Sequence, residues 1–319
     1  MKHEVDLSKY FVRTDLAIET LEHSKFKEGI KLSEKKYGDI NVTTVIVDKK
    51  GSKKLKKKTG KYITIEFPDV TDETNKSRVY KVLVRELKKM IVLNDKNSHV
   101  LVIGLGNDSS TADSLGPLTI DQMTVTNHLY MLGIADPTYQ RVSAFNPSVM
   151  GKTGIETSDM VVQLVQFLKP DMVVVIDALA SGSINRVNRT IQMTDTGIHP
   201  GSGVGNKRKE ISKDILGVPV IAIGVPTVVD AVTIVSDTIE FLTNHYGETK
   251  SKTSISSYER ENLLGLVGTL SQEEIKIFIN DILTPIGYNL MVTTKEVDYI
   301  IKDLSIIISE SLNKIFHDR

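Results

Sequence analysis

The sequence predicts an α/β fold, with a mainly parallel central sheet flanked by helices and a β-rich N-terminal portion. Three observations carry that expectation. Apolar Val/Ile runs recur at 98–103, 171–177 and 218–223, and strands without polar alternation are buried on both faces, as in a parallel sheet. Apolar residues at helical spacing fill the intervals between these runs. Ahead of them, Asn41–Val47 and Lys61–Phe67 show the period-2 alternation of half-buried strands.

Taken in order, the first forty residues are polar and weakly periodic, and read as a flexible or removable arm. The two alternating runs, joined by the lysine-dense segment Lys49–Gly60, predict a β-hairpin or meander with a solvated tip. Val79, Val82, Leu83, Leu87 and Ile91 keep helical spacing. Strand Val100–Ile103 leads into a Gly-rich loop and a helix over Leu118–Leu132. A short strand around Arg141–Phe145 precedes a helix near Glu156–Leu168. Met172–Ile176 predicts a strand closed by Asp177 and an Ala/Ser/Gly turn, with a further strand at Arg189–Met193. Val218–Ile223 is followed by a helix reaching about Asn244, then by a polar loop at Lys250–Arg260. Two C-terminal helices, Gln272–Leu283 and Lys295–Phe316, complete the chain, the second with an apolar stripe from Val297 to Ile315. No internal repeat is present.

With 319 residues, the chain is long enough for one large or two ordinary domains with a proper core. Its 40 basic and 40 acidic residues balance, which argues for neither a nucleic-acid partner nor a membrane surface. There is no cysteine, so disulfides, thiolate nucleophiles and Cys-type zinc sites are excluded together. Met1–Ser8 contains no apolar signal-peptide core, and nowhere do about eighteen apolar residues run together. The expectation is a cytoplasmic protein without a membrane span.

Chemistry concentrates in the loop Gly104-Leu-Gly-Asn-Asp-Ser-Ser-Thr-Ala-Asp113-Ser-Leu-Gly-Pro117. Glycine lets backbone come close to a ligand at the end of a core strand. Asp113 in that loop and Asp177 after the next apolar run are the candidate catalytic pair, although an Asp in such a place also caps helices and turns. Two close carboxylates do not both ionise cheaply, so one serves as base for water and the other as acid for a leaving amine. A metal held by both would activate water instead. Gly104, Gly106 and Asn107, together with Gly201 and Gly203 of a second Gly-rich loop, are candidates for holding an oxyanion or substrate carbonyl. His199, at the head of that second loop, is the candidate proton carrier or third metal ligand. Lys207–Lys209 would either grip acidic substrate residues or stand in solvent.

Three features compete with this reading. Asn146-Pro-Ser-Val-Met-Gly151-Lys152-Thr153 is similar to a phosphate-binding loop, which makes an NTPase the alternative. Asn146 replaces its first glycine, and Pro147 lacks an amide that the cradle needs. Asp195-Thr196-Gly197 repeats the triplet of pepsin-like aspartic proteases, but in an α/β chain it does not carry that fold. The lysine-rich tip could touch nucleic acid, yet a charged edge more often prevents strand pairing. No nucleophile elbow and no zinc-binding helix motif can be drawn.

With these residues in place, most of the chain resembles the germination protease family of spore-forming bacteria. The likeness rests on Gly104–Asn107 with Asp113–Pro117, Val149–Asp159, Ile176–Ala180, Asp195–Lys209 and Val218–Asp230. It implies an endopeptidase that degrades the small acid-soluble proteins coating spore DNA at germination. It also implies a core similar to hydrogenase-maturation endopeptidases, a homotetramer and synthesis as a zymogen in the forespore. The family's two aspartates fall on Asp113 and Asp177, acting either alone or around one divalent ion with His199. Two departures stand out: the loop at Lys250–Arg260 is short for the family, and Lys152 replaces an apolar residue.

Family substrates are cut after an acidic residue within Thr/Ser-Glu-apolar-Ala, and Thr14-Asp15-Leu16-Ala17 resembles that sequence. The expectation is self-cleavage between Asp15 and Leu16, removing residues 1–15 from a single peptidase domain spanning 16–319. The same residues also suit a helix N-cap, and the two roles are compatible.

Overall fold

The computed structural model describes residues 14–22, 28–55, 57–93, 95, 97–201, 209–248, 265, 272–283 and 290–317. In chain order they form α1 (Ala17–Glu22), β1 (Ile30–Tyr37), β2 (Ile40–Val47), α2 (Lys49–Leu55), β3 (Gly60–Glu66), α3 (Glu73–Leu87) and β4 (His99–Gly104). Then follow α4 (Leu115–Asp121), α5 (Asn127–Met131), β5 (Arg141–Phe145), α6 (Met150–Thr153), α7 (Thr157–Leu168), β6 (Met172–Ser181) and β7 (Thr190–Thr194). The last are α8 (Lys213–Leu216), β8 (Val220–Asp230), α9 (Ala231–Glu248), α10 (Gln272–Leu283), β9 (Met291–Val292) and α11 (Val297–His317).

The strands make one sheet in the order β1-β2-β3-β7-β8-β6-β4-β5, with β9 beside β8. Only β5, β4, β6 and β8 run parallel to one another. The remaining pairings are antiparallel, so the sheet is mixed. The division has a simple cause. Helical crossovers return the chain to the same end and give parallel neighbours, whereas a tight connection such as Gly38–Asp39 reverses it.

Side chains on one face of the core strands, among them Val102, Val174, Ile176 and Ile223, pack against α3, α4 and α11. The opposite face carries Leu101, Ile103, Val173 and Val175 against Val161 and Val165 of α7. In α11, Ile301, Leu304, Ile308, Leu312 and Phe316 are fully buried, as its stripe predicts.

Several expectations need correction. The first forty residues are not merely an arm, because they hold α1 and the full-length edge strand β1. Ile-Lys-Leu-Ser-Glu-Lys-Lys-Tyr is exposed along nearly its whole length, so no burial pattern marks it as a strand. The segment after β2 is not a bare hairpin tip. Asp48 Oδ1 accepts the amides of Lys50 and Gly51 at 2.7 and 2.9 Å and starts α2, with Leu55 buried beneath it. The helix expected over Leu118–Leu132 is split into α4 and α5, where the Thr124 amide donates to Asn313 Oδ1 at 2.9 Å. Asp177 lies within β6, which continues to Ser181, and β8 likewise runs on to Asp230. Polar loop 250–260 lies outside the described residues.

Candidate active site

Where β4 stops, β6 loses its neighbour. Gly104 pairs with Ile176, and the Leu105 amide donates to the Ile176 carbonyl at 2.8 Å. Beyond that point no described strand pairs with this edge of β6, and Asp177 is its first residue. Asp177 is 5% exposed and in register with Gly224 of β8. A Cβ on Gly224 would lie 2.5 Å from Leu179, so glycine there lets Leu179 cover the sheet beside Asp177.

Asp113 arrives by a return loop. Gly106 has φ +121°, and a Cβ there would fall 2.0 Å from the Asp113 carbonyl oxygen and 3.2 Å from Asp113 Oδ1. Asn107 donates its amide to the Asp113 carbonyl at 2.9 Å. Its side chain accepts the Ser109 amide at 3.0 Å, so Asn107 shapes the loop, and it does not line the cavity that the two acids face. Thr227 Oγ1 donates to the Ala112 carbonyl at 2.6 Å, tying the loop to β8. Asp113 and Asp177 thus face one cavity of about 370 Å³, also lined by Gly106, Ser148, Thr157 and Gly201.

The chain's own residues 14–20 lie across this cleft. The Asp15 amide donates to the Ala180 carbonyl at 3.1 Å, and Asp15 Oδ2 accepts the Ala180 amide at 2.9 Å. Asp15 therefore adds to the open edge of β6, three residues from Asp177. Its carbonyl oxygen accepts from Lys57 Nζ at 3.1 Å and from Gln192 Nε2 at 3.2 Å. Leu16 is fully buried in a cluster with Ile18 and Leu179. The Thr14 hydroxyl closes the turn ahead of α1, accepting the Leu16 amide at 2.9 Å and donating to Glu19. Glu19 is 1% exposed and accepts from Ser181 Oγ at 2.6 Å and from the Gly182 amide at 2.7 Å, with Arg186 at 3.5 Å. Glu19→Ala is accordingly expected to speed hydrogen exchange at the Leu16 to Thr20 amides by roughly 10- to 100-fold, since a hydrogen bond to a charged group is worth about 1.5–3 kcal/mol. Exchange mass spectrometry reads this directly.

A second cavity of about 320 Å³ lies on the other side of Asp15, lined by Lys57, Tyr62, Gln192 and His199 among others. Burial holds the Lys57 ammonium below its ordinary range, opposed by the carboxylates of Asp15 and Glu19. His199 does not join the acids. Its Nε2 stands 3.5 Å from Glu210, which also pairs with Lys58. Among the described residues, no group of three His, Cys, Asp or Glu is placed to hold a metal ion. The three-ligand set Asp113, Asp177 and His199 is therefore not assembled.

Other expected residues have local work. A Cβ on Gly104 would lie 2.3 Å from the Gly116 carbonyl oxygen, so Gly104 allows close packing of α4 on β4 and is not part of the cavity wall. Gly201 lines the acid cavity, while Gly203 and Lys207 lie outside the described residues. Lys209 pairs with Asp159 at 2.7 Å. Asp195 Oδ1 accepts the Lys61 amide at 2.8 Å at the start of β3. Gly151-Lys152-Thr153 forms the one-turn α6, and Lys152 pairs with Asp108 and with Ser109 Oγ at 2.7 Å, so no phosphate cradle is formed. Glu19, Lys57 and Gln192 are not singled out by sequence reasoning. The one available signal was Thr190-Ile-Gln-Met-Thr194, whose alternation turns Gln192 onto the face opposite the buried Ile191 and Met193.

Sheet and cleft together define an α/β protein that holds an extended peptide beside two carboxylates. Comparison with known proteins makes that class an endopeptidase. The family model described as germination protease matches residues 11–259 and 254–319. A germination protease of Oceanobacillus iheyensis is 45% identical, covering 97% of this chain and 95% of that protein. The germination protease of Bacillus subtilis is 43% identical, covering 100% of this chain and 96% of that protein. The chain belongs to the germination protease family. Among solved structures, the NiFe hydrogenase maturation protease HycI of Thermococcus kodakarensis matches with a TM-score of 0.27 at 21% identity, covering 41% of this chain and 74% of that one. Among the described residues, no helix is long and apolar enough to cross a membrane.

Proposed function

We propose that this chain is a self-processing zymogen whose Asp113 and Asp177 cut the Asp15–Leu16 bond, releasing residues 1–15 from a peptidase domain spanning 16–319. The observation that carries the reading is the seat of Asp15, bonded through amide and carboxylate to Ala180 and lining the same cavity as both acids. Preference for an acidic residue before the cut follows from that contact. The Ala180 amide is a donor, and a carboxylate accepts from it more strongly than a neutral amide would. One acid takes a proton from water as it attacks, and the other protonates the leaving nitrogen of Leu16.

Once residues 1–15 leave, the open edge of β6 is free for an extended substrate. Family membership supports small acid-soluble spore proteins as those substrates, a homotetrameric assembly and a place in the spore core. The test is intact mass of the full-length protein over time at mildly acidic pH, beside Asp15→Ala. The expected outcome is loss of residues 1–15 from the wild type and a stable full-length mass in the variant. An unchanged wild-type mass, or the same cut in Asp15→Ala, overturns the reading.

A further inference from the structure

We propose that Lys57 and Gln192 are the electrophilic half of this site, the two donors that polarise the Asp15 carbonyl and hold its oxygen as it turns into an oxyanion. The inference rests on Asp15–Leu16 being the bond that is cut. It moves the oxyanion role from glycine amides to two side chains that come from distant parts of the sheet.

The geometry is that of a polarised carbonyl. Lys57 Nζ and Gln192 Nε2 stand 3.1 and 3.2 Å from one oxygen, at the outer edge of hydrogen-bond range. Donors placed for the longer C–O bond of the tetrahedral state are long in the ground state and tighten as charge develops. Gln192 cannot be turned the other way. Its Oε1 accepts the buried Ala17 amide at 2.6 Å, a group that can only donate, and this aims Nε2 at Asp15. Lys57 is fixed by its flanks. Leu55 is buried on one side, and on the other Tyr62 Oη donates to the Lys58 carbonyl at 2.9 Å.

The two cavities divide the labour. Asp15 lines both, with the acids in one and Lys57 and Gln192 in the other. Water attacks from the acid side, forming a C–O bond while its proton passes to the carboxylate base. The carbonyl π pair moves onto oxygen, towards Lys57 and Gln192. Collapse re-forms the carbonyl and breaks the C–N bond, and the carboxylic acid gives its proton to the Leu16 nitrogen. Atoms and charge balance without any further reactant.

The test uses full-length protein, following self-cleavage by intact mass and docking of residues 16–22 by hydrogen exchange. Lys57→Met removes one donor. Gln192→Glu keeps an acceptor for the Ala17 amide while removing the other. Each is expected to slow cleavage by about 10²–10³-fold with exchange protection unchanged, and Lys57→Arg to recover part of the loss. Wild-type rates in Lys57→Met and Gln192→Glu overturn the proposal. So does a slowing that follows lost protection, which would make the two residues docking groups only. Asp113→Asn separates the two readings. If it is inert while Lys57→Met cleaves normally, the oxyanion proposal fails alone, whereas an uncut wild type overturns both.

Discussion

Asp177→Asn in the full-length chain is expected to slow release of residues 1–15 by about 10²–10⁴-fold, the range over which a positioned acid or base acts. Asn has the shape of Asp but neither accepts nor gives a proton at working pH. Asp177 sits inside β6 with Gly224 as its cross-strand partner, so the substitution leaves the strand in register. The seat of Asp15 also survives, because it depends on the main chain of Ala180 and not on the Asp177 side chain. A folded, docked and uncut protein is therefore the expected product. Intact mass follows the cut, and a thermal melt beside the wild type checks the fold. Cleavage at the wild-type rate would remove Asp177 from the mechanism.

What the sequence discloses and what it conceals both have physical causes. Buried strands announce themselves because burial on both faces demands continuous Val and Ile, and β4, β6 and β8 were legible for that reason. The two acids drew attention for local reasons, Asp113 lying in a Gly-rich loop after a core strand and Asp177 ending an apolar run, and the structure brings both to one cavity. Strand β1 was not legible. At a sheet edge with both faces solvated, Lys31, Glu34, Lys35 and Lys36 are tolerated and carry no period. The extension of β6 past Asp177 was concealed too. Ala178-Leu-Ala180 reads locally as a turn and becomes strand only through pairing with β8. Lys57 was hidden among identical neighbours. Six lysines lie between 53 and 61, and only the placement of Leu55 beneath α2 decides which of them turns inward. His199 is the converse case: a histidine in a Gly-rich loop invites a catalytic role, and here it stands beside Glu210 and lines the second cavity, not the one that holds the two acids.

Gly106→Ala is expected to cost both stability and activity, and comparison with Gly154→Ala separates the two causes. Both glycines have positive φ, +121° and +72°. Forcing an ordinary residue into left-handed backbone costs about 1–2 kcal/mol, and at Gly154 nothing lies within 4 Å to add to it. At Gly106 the new methyl would meet the Asp113 carbonyl oxygen at 2.0 Å, far inside contact distance. That oxygen is main chain, held by the Asn107 amide at 2.9 Å, so it cannot swing aside as a side-chain end would. Relief requires the 3-10 turn at Thr111–Asp113 to move, and Asp113 moves with it. A displacement of 1 Å at a reacting group is worth about 10²-fold in rate. Gly154→Ala should therefore lower the urea midpoint slightly and cleave itself normally. Gly106→Ala should fall further in urea and lose self-cleavage even in the fraction that folds. Equal midpoints and equal rates in the two variants would mean that Asp113 does not depend on the absent side chain at Gly106.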